Sequence, residues 1–175
     1  GCLTFCVTSV NYMKFDQQQL NFMRAALLEA EKAFQKNEVP VGAVITFENK
    51  IIARGHNQME NLKDATAHAE MIALTSAANH LQNWRLTNCE MYVTVEPCLM
   101  CAGAILLSRL KSIYFGVFDP KFGACGSVYN VVQEKKYNHV ISVQSGILAE
   151  ECELLLKNFF HNKRSKSNNY HCCPK

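Results

Sequence analysis

Nothing in this chain is long and apolar enough to span a bilayer. Its longest comparable run, Leu99 to Leu107, falls far short of the ~20 residues a crossing helix needs. There is no internal repeat and no low-complexity segment, which excludes solenoids and extended linkers. Charge of one sign is scarce too: a formal net charge of +3 does not by itself announce a nucleic-acid binder. No convincing secretory leader is legible, and the nine cysteines are an odd number, so a disulfide scaffold is not the natural reading. Cys2, Cys6, Cys89, Cys125, Cys152, Cys172 and Cys173 read as free thiols or small core residues, and a reducing cytoplasm is the compartment that fits them. What remains is 175 residues, 49% of them hydrophobic, enough for one domain that buries roughly 70% of its unfolded surface.

The chemistry is concentrated in two segments, Thr66-Ala67-His68-Ala69-Glu70 and Glu96-Pro97-Cys98-Leu99-Met100-Cys101. Cys98 and Cys101 are three apart, so a helix starting there brings both thiols to one point near its first turn. The unpaired N–H groups and partial positive charge of that turn favour thiolates. His68 supplies a third ligand. Three protein ligands leave one position for water, the arrangement of a catalytic rather than a structural zinc. Two thiolates and an imidazole favour zinc over other divalent metals.

Glu70, two residues beyond His68, is close enough to share the pocket without acting as a ligand. Zinc lowers the pKa of bound water to roughly 7, and a neighbouring carboxylate can take that proton and return it. Water activated in this way attacks an electron-poor ring carbon bearing an amine. Glu70 then passes protons to the ring nitrogen and toward the departing ammonia. The bland alternative is a structural zinc knuckle or two reduced core cysteines, and for Cys-x-x-Cys alone it would be the better reading. His68, Glu70 and Pro97 complete His-x-Glu with Pro-Cys-x-x-Cys, the zinc-deaminase signature.

Taken in order, residues 1–12 are expected to be an N-terminal extension, with Met13 a sensible native start. Residues 13–164 form a deaminase domain, and 165–175 a basic, flexible tail. Apolar positions Leu20, Met23, Leu27, Ala30 and Phe34 predict a helix over residues 16–36, capped by Asp16. Residues 41–47 and 51–55 read as an antiparallel hairpin. Gly42 inside it implies either a close backbone approach or a bulge. Thr66 is expected to cap the helix carrying His68 and Glu70. Strands follow at 91–95, 112–116 and 139–143, with helices at 98–107 and from Leu148 to about Phe160. The order predicts a three-layer α/β/α fold around a five-stranded mixed sheet. Lys157, Lys163, Arg164, Lys166 and Lys175 follow Glu153 with no later acid. They read either as a phosphate-docking face or as a solvated helix end.

Beyond the zinc signature the chain resembles the bacterial tRNA-specific adenosine deaminases of the cytidine deaminase-like superfamily, over roughly residues 22–164. The resemblance rests on Glu38 to Val44, Gly55-His56-Asn57, Thr66 to Leu74, Tyr92 to Ile105, Asp119 to Ser127, and Phe159-Phe160 with Lys163-Arg164. It implies a cytidine deaminase-like fold, one zinc ion per subunit, a homodimer, and conversion of the wobble adenosine of a tRNA anticodon stem-loop to inosine. By the same resemblance Asn57 hydrogen-bonds the purine, against the alternative of a turn-forming asparagine. Asp119 and Lys121 touch the ribose-phosphate backbone, although Asp-Pro-Lys could equally be an ordinary turn. Phe160, rather than Phe159, stacks on a flipped-out base. The rival readings are a deaminase of free bases or nucleosides and a non-catalytic zinc-bound RNA-binding subunit. The presence of Glu70 speaks against the second.

Overall fold

The computed structural model describes residues 14–168, with side chains to Ser165. A five-stranded sheet in the order β2-β1-β3-β4-β5 is formed by β1 (Gly42–Phe47), β2 (Lys50–His56), β3 (Glu90–Val95), β4 (Ser112–Val117) and β5 (Ser142–Ser145). β1 is antiparallel to β2 and β3, while β3, β4 and β5 run parallel, so the sheet is mixed as expected. Helices α1 (Gln17–Gln35) and α5 (Ala149–Asn168) cover one face. The other is covered by α3 (Ala69–Leu81) and α4 (Leu99–Leu107), and a single turn, α2 (Met59–Leu62), sits in the β2–α3 connection.

Strand alternation decides which residues enter which layer. Ala43, Ile45, Met91, Val93, Ile113 and Phe115 pack beneath α3 and α4. Val44, Tyr92 and Tyr114, from the intervening positions, pack beneath α1 together with Phe22 and Met23. Tyr92 and Tyr114 are register partners on adjacent parallel strands, and their rings stack at 4.5 Å and 3°.

Asp16 caps α1 reciprocally: its Oδ1 accepts from the Gln19 N–H at 2.8 Å, and Gln19 Oε1 accepts from the Asp16 N–H at 3.0 Å. The buried stripe of α1 is Phe22, Met23, Ala25, Ala26, Glu29, Ala30 and Ala33, and of the apolar positions that predicted the helix Met23 and Ala30 are fully buried while Leu20, Leu27 and Phe34 are half-buried along its margin. Small residues take the centre because the helix backbone lies almost on β1. A Cβ at Gly42 would sit 2.1 Å from Ala26 O and 2.3 Å from Ala30 N. Gly42 is therefore a close-approach glycine, and the hairpin's irregularity falls instead between Ile45 and Thr46. Gly55 plays the same part beneath α3, where a Cβ would meet Ala69 O at 2.3 Å.

Other boundaries moved for local reasons. Thr66 is not the cap of α3; its hydroxyl and N–H both bond Asp64 Oδ1, and His68 holds the N-cap position. The last strand begins at Ser142, not at residue 139, because its partner edge begins at Ser112. His139 instead bonds Leu110 O through Nε2 at 2.8 Å. α5 continues to Asn168, well past Phe160 and four residues into the expected tail, while residues 1–12 and 169–175 lie outside the described residues. Among the described residues no helix is long and apolar enough to cross a membrane.

Replacing Gly42 with Ala forces α1 off the sheet. We expect a loss of about 3 kcal/mol in stability, read as a lower urea midpoint with an unchanged m-value.

Candidate metal centre and active site

Both chemistry-bearing segments start helices on the same sheet face. His68 is the N-cap of α3 and Cys98 the N-cap of α4, with Cys101 in the first turn of α4. The parallel β3 ends at Val95 and delivers Glu96 and Pro97 to that point. His68 Nδ1 lies 3.6 Å from Cys98 Sγ and 3.5 Å from Cys101 Sγ. Zn–N near 2.05 Å and Zn–S near 2.3 Å at a tetrahedral angle require a separation of roughly 3.6 Å. The donor set therefore fits zinc in chemistry and in spacing, and it is the one group of metal-capable side chains among the described residues.

The electrostatics of the three donors are linked. A hydrogen bond from the Cys101 thiol, with further help from the His68 ring, holds the Cys98 thiol down at about 4. Cys101 is pushed far up by that same bond and by burial. The hydrogen bond to Cys98 raises His68 against the opposing effect of its own burial. Without a cation one proton is shared between the two sulfurs. A divalent metal takes its place and leaves both as thiolates.

Glu70, in the first turn of α3, is 3% exposed, and its Oε2 has no hydrogen-bond partner. Burial lifts its pKa to about 7, with the neighbouring His68 charge working in the opposite direction. A buried carboxylate oxygen left without a partner costs stability. This one lies beside His68, Cys98 and Cys101.

The remaining expected site residues are placed unevenly. Asn57 is buried, and its side chain is spent largely on the backbone: Nδ2 donates to Val39 O at 3.2 Å and Oδ1 accepts from Met59 N at 3.3 Å. That is the turn role, and it leaves one amide hydrogen free. Asp119 also shapes a turn, its Oδ1 accepting from Lys121 N at 2.9 Å and Phe122 N at 3.2 Å. Lys121 and Phe160 come together in an open groove with Glu153, Leu156, Lys157 and Arg164. Phe159, by contrast, is buried edge-on against Phe34.

Glu96 carries a role not foreseen from the sequence. It is 3% exposed, and its carboxylate accepts from Asp119 N at 2.9 Å, Cys125 N at 3.0 Å, Ser127 N at 2.9 Å and the Ser127 hydroxyl. One side chain thus ties the loop after β4 to the segment that holds Cys98. Gly123 pairs with Cys98 in an isolated bridge, and Ala124 N donates to Pro97 O at 2.9 Å. A Cβ at Gly123 would strike Glu96 Oε2 at 2.2 Å. An acidic residue closing an otherwise apolar strand, directly before Pro-Cys, was the available signal. Similarly, buried Glu38 accepts from Glu60 N at 3.2 Å and Asn61 N at 2.7 Å, holding α2.

Glu96→Gln sets an amide N–H against backbone N–H groups. It should lower stability by about 3 kcal/mol and reduce activity, with zinc content per folded protein retained, as read by denaturant titration and metal analysis.

Comparison with known proteins agrees with this geometry. Residues 16–117 match the model of the cytidine and deoxycytidylate deaminase zinc-binding region. A tRNA-specific adenosine deaminase of Bacillus subtilis (strain 168) is 48% identical over 145 residues, spanning 83% of this chain and 90% of that protein. A solved structure from work on A-to-I editing by tRNA:A34 deaminases at the wobble position superposes with a TM-score of 0.75 at 40% identity, covering 78% of this chain and 99% of that one. A guanine deaminase from Nitrosomonas europaea superposes with a TM-score of 0.70 at 24% identity, over 80% and 83% of the two chains, and shares the fold. The chain with its His68, Cys98, Cys101 centre therefore belongs to the tRNA-specific adenosine deaminases, a family of zinc-dependent enzymes within the cytidine deaminase-like fold.

Proposed function

We propose that this protein converts adenosine at the wobble position of a tRNA anticodon to inosine, by attack of water with Glu70 as the proton carrier. The observation that carries the reading is the unpartnered Oε2 of a buried carboxylate beside a His-Cys-Cys donor set. The 48% identical relative and the wobble-position deaminase neighbour support the choice of substrate.

His68, Cys98 and Cys101 would hold one zinc ion per subunit, which when bound acidifies water and polarises it toward attack. The rest is done by residues of the chain. Glu70 Oε2 accepts one proton from the attacking water and delivers it to the ring nitrogen next to the amine-bearing carbon. A second proton moves by the same carboxylate to the amine, the carbon–nitrogen bond breaks, and ammonia leaves. Adenosine and water give inosine and ammonia, and Glu70 ends as it began. Asn57 has one amide hydrogen left to direct at the purine. Lys121 and Phe160 flank the approach, where a phosphate and a flipped-out base would find a cation and an aromatic ring.

An anticodon loop suits such a pocket, since its bases are unpaired and need little energy to extrude. The second reading, a deaminase of free purines, draws on the guanine deaminase that shares the fold. The open groove lined by Lys121, Arg164 and Lys157, the last paired with Glu153 at 2.8 Å, keeps an excess of positive charge that favours RNA over a small metabolite. We further propose that the chain works as a homodimer, to be read by sedimentation. The exposed apolar side chains Leu62, Leu99 and Leu107 are the surface such an assembly would cover.

The deciding experiment is inosine formation by the zinc-loaded protein on an anticodon stem-loop with adenosine at the wobble position, beside free adenosine, guanine and cytidine. We expect turnover of the stem-loop alone, and turnover confined to a free base or nucleoside overturns the RNA reading. Glu70→Gln should keep its zinc and fold while kcat falls at least about 10²-fold; retained turnover removes Glu70 as the proton carrier. Chelation should abolish activity and lower the melting temperature together, both restored by zinc, because energy of binding at a folded site is also folding energy. A Cys98→Ala variant that stays loaded with zinc contradicts the ligand set.

A further inference from the structure

Phe122 is the most exposed aromatic side chain in the loop after β4, at 70%, yet its backbone is among the most firmly held. Its N–H donates to Asp119 Oδ1, and Asp119 N is bonded in turn to Glu96. The next residue, Gly123, pairs with the metal ligand Cys98 and donates to Asp119 O at 2.9 Å. The residue before it, Lys121, lines the groove with Phe160, Lys157 and Arg164. A large apolar ring is thus fixed in water one residue from the backbone of the catalytic centre, with cations on the groove side.

We propose that Phe122 is a stacking platform for a nucleotide flanking the target base, a contact that rests on the RNA substrate proposed above. Single-stranded nucleic acid is gripped by aromatic faces interleaved with cations, and stacking is worth enough per base to govern affinity. Phe160, 43% exposed in the groove that Lys121 also lines, supplies one such face, and Phe122, next to Lys121 in the chain, supplies the second. The loop needs no reorganisation to present it, since the Glu96 carboxylate has already paid the ordering entropy on folding. A second copy of this chain is the competing occupant. It is disfavoured because the neighbouring Lys121, Lys157 and Arg164 form a cationic rim, whereas lysine is depleted from protein interfaces.

The test compares wild type, Phe122→Ala and Phe122→Trp on the wobble-adenosine stem-loop, with single abasic sites placed on either side of the target. Phe122→Ala should raise KM about tenfold with kcat, zinc content and melting temperature unchanged. Phe122→Trp should restore KM. The abasic site that harms wild type should no longer harm Phe122→Ala, since both changes remove one contact. An unchanged KM in Phe122→Ala overturns the platform while leaving the deaminase reading intact. A shift from dimer to monomer on sedimentation overturns it in favour of a protein contact. Wild-type protein inactive on every stem-loop overturns the RNA reading, and the platform with it.

Discussion

Three donor atoms on two separate segments have to converge to roughly 3.6 Å of one another, and most of the architecture can be read as the means to that end. β2 and β3, each antiparallel to the β1 strand between them, run the same way, and the helices that follow them start with His68 and Cys98 at their N-cap positions. Helix N-termini favour anionic partners, so the backbone itself assists the thiolates and any negative charge that develops during reaction. The spacing tolerates little error, which explains why the helices lie so close to the sheet. Gly42 and Gly55 remove the Cβ atoms that would lift α1 and α3 away.

The same edge carries a cost that the rest of the molecule offsets. Glu70 is buried with one oxygen unpartnered, and the donor triad has a shared proton that a metal must displace. Each is unfavourable in the isolated fold and useful in the reaction. Glu96 supplies the opposite case, a buried carboxylate with four donors around it. Two glutamates near one site thus differ in that one is satisfied and the other is not. The satisfied one fixes geometry, and the unsatisfied one has an oxygen open to the proton transfer proposed for it.

Much of this was legible in the order of residues. The five strands, the mixed sheet and the two helix starts followed from periodicity and from the spacing of His68, Glu70, Cys98 and Cys101, because those features depend on local pattern. What was not legible depends on contacts between distant segments. The centre of the buried face of α1 is filled by alanines, because the close approach at Gly42 leaves no room for larger side chains there. Thr66 had the composition of a cap, but Asp64 competes for its hydroxyl. The bonds of the Asn57 amide to Val39 and Met59 were likewise beyond the local pattern. Glu96 sat in the most conspicuous motif of the chain without an evident task, because its partners are more than twenty residues away.

The fold alone does not choose a substrate. A guanine deaminase superposes at a TM-score of 0.70 with 24% identity, so sheet and helices are shared while most residues are not. Discrimination has to come from the rim, and the rim of this chain has two distinct parts. One is the turn around Asn57, with the adjoining α2 held by Glu38. The other is the loop from Phe118 to Ser127 with the outer face of α5, where Lys121, Lys157, Phe160 and Arg164 meet. The first part can be satisfied by a free purine. The second is an open groove in which Lys121, Lys157 and Arg164 outnumber the one acid, Glu153, beside the ring of Phe160, a lining suited to phosphates and further bases. A substrate that occupies both must carry phosphates and neighbouring bases along with the reacting ring, and that requirement, more than the zinc centre, separates an RNA-editing enzyme from a salvage enzyme built on the same fold.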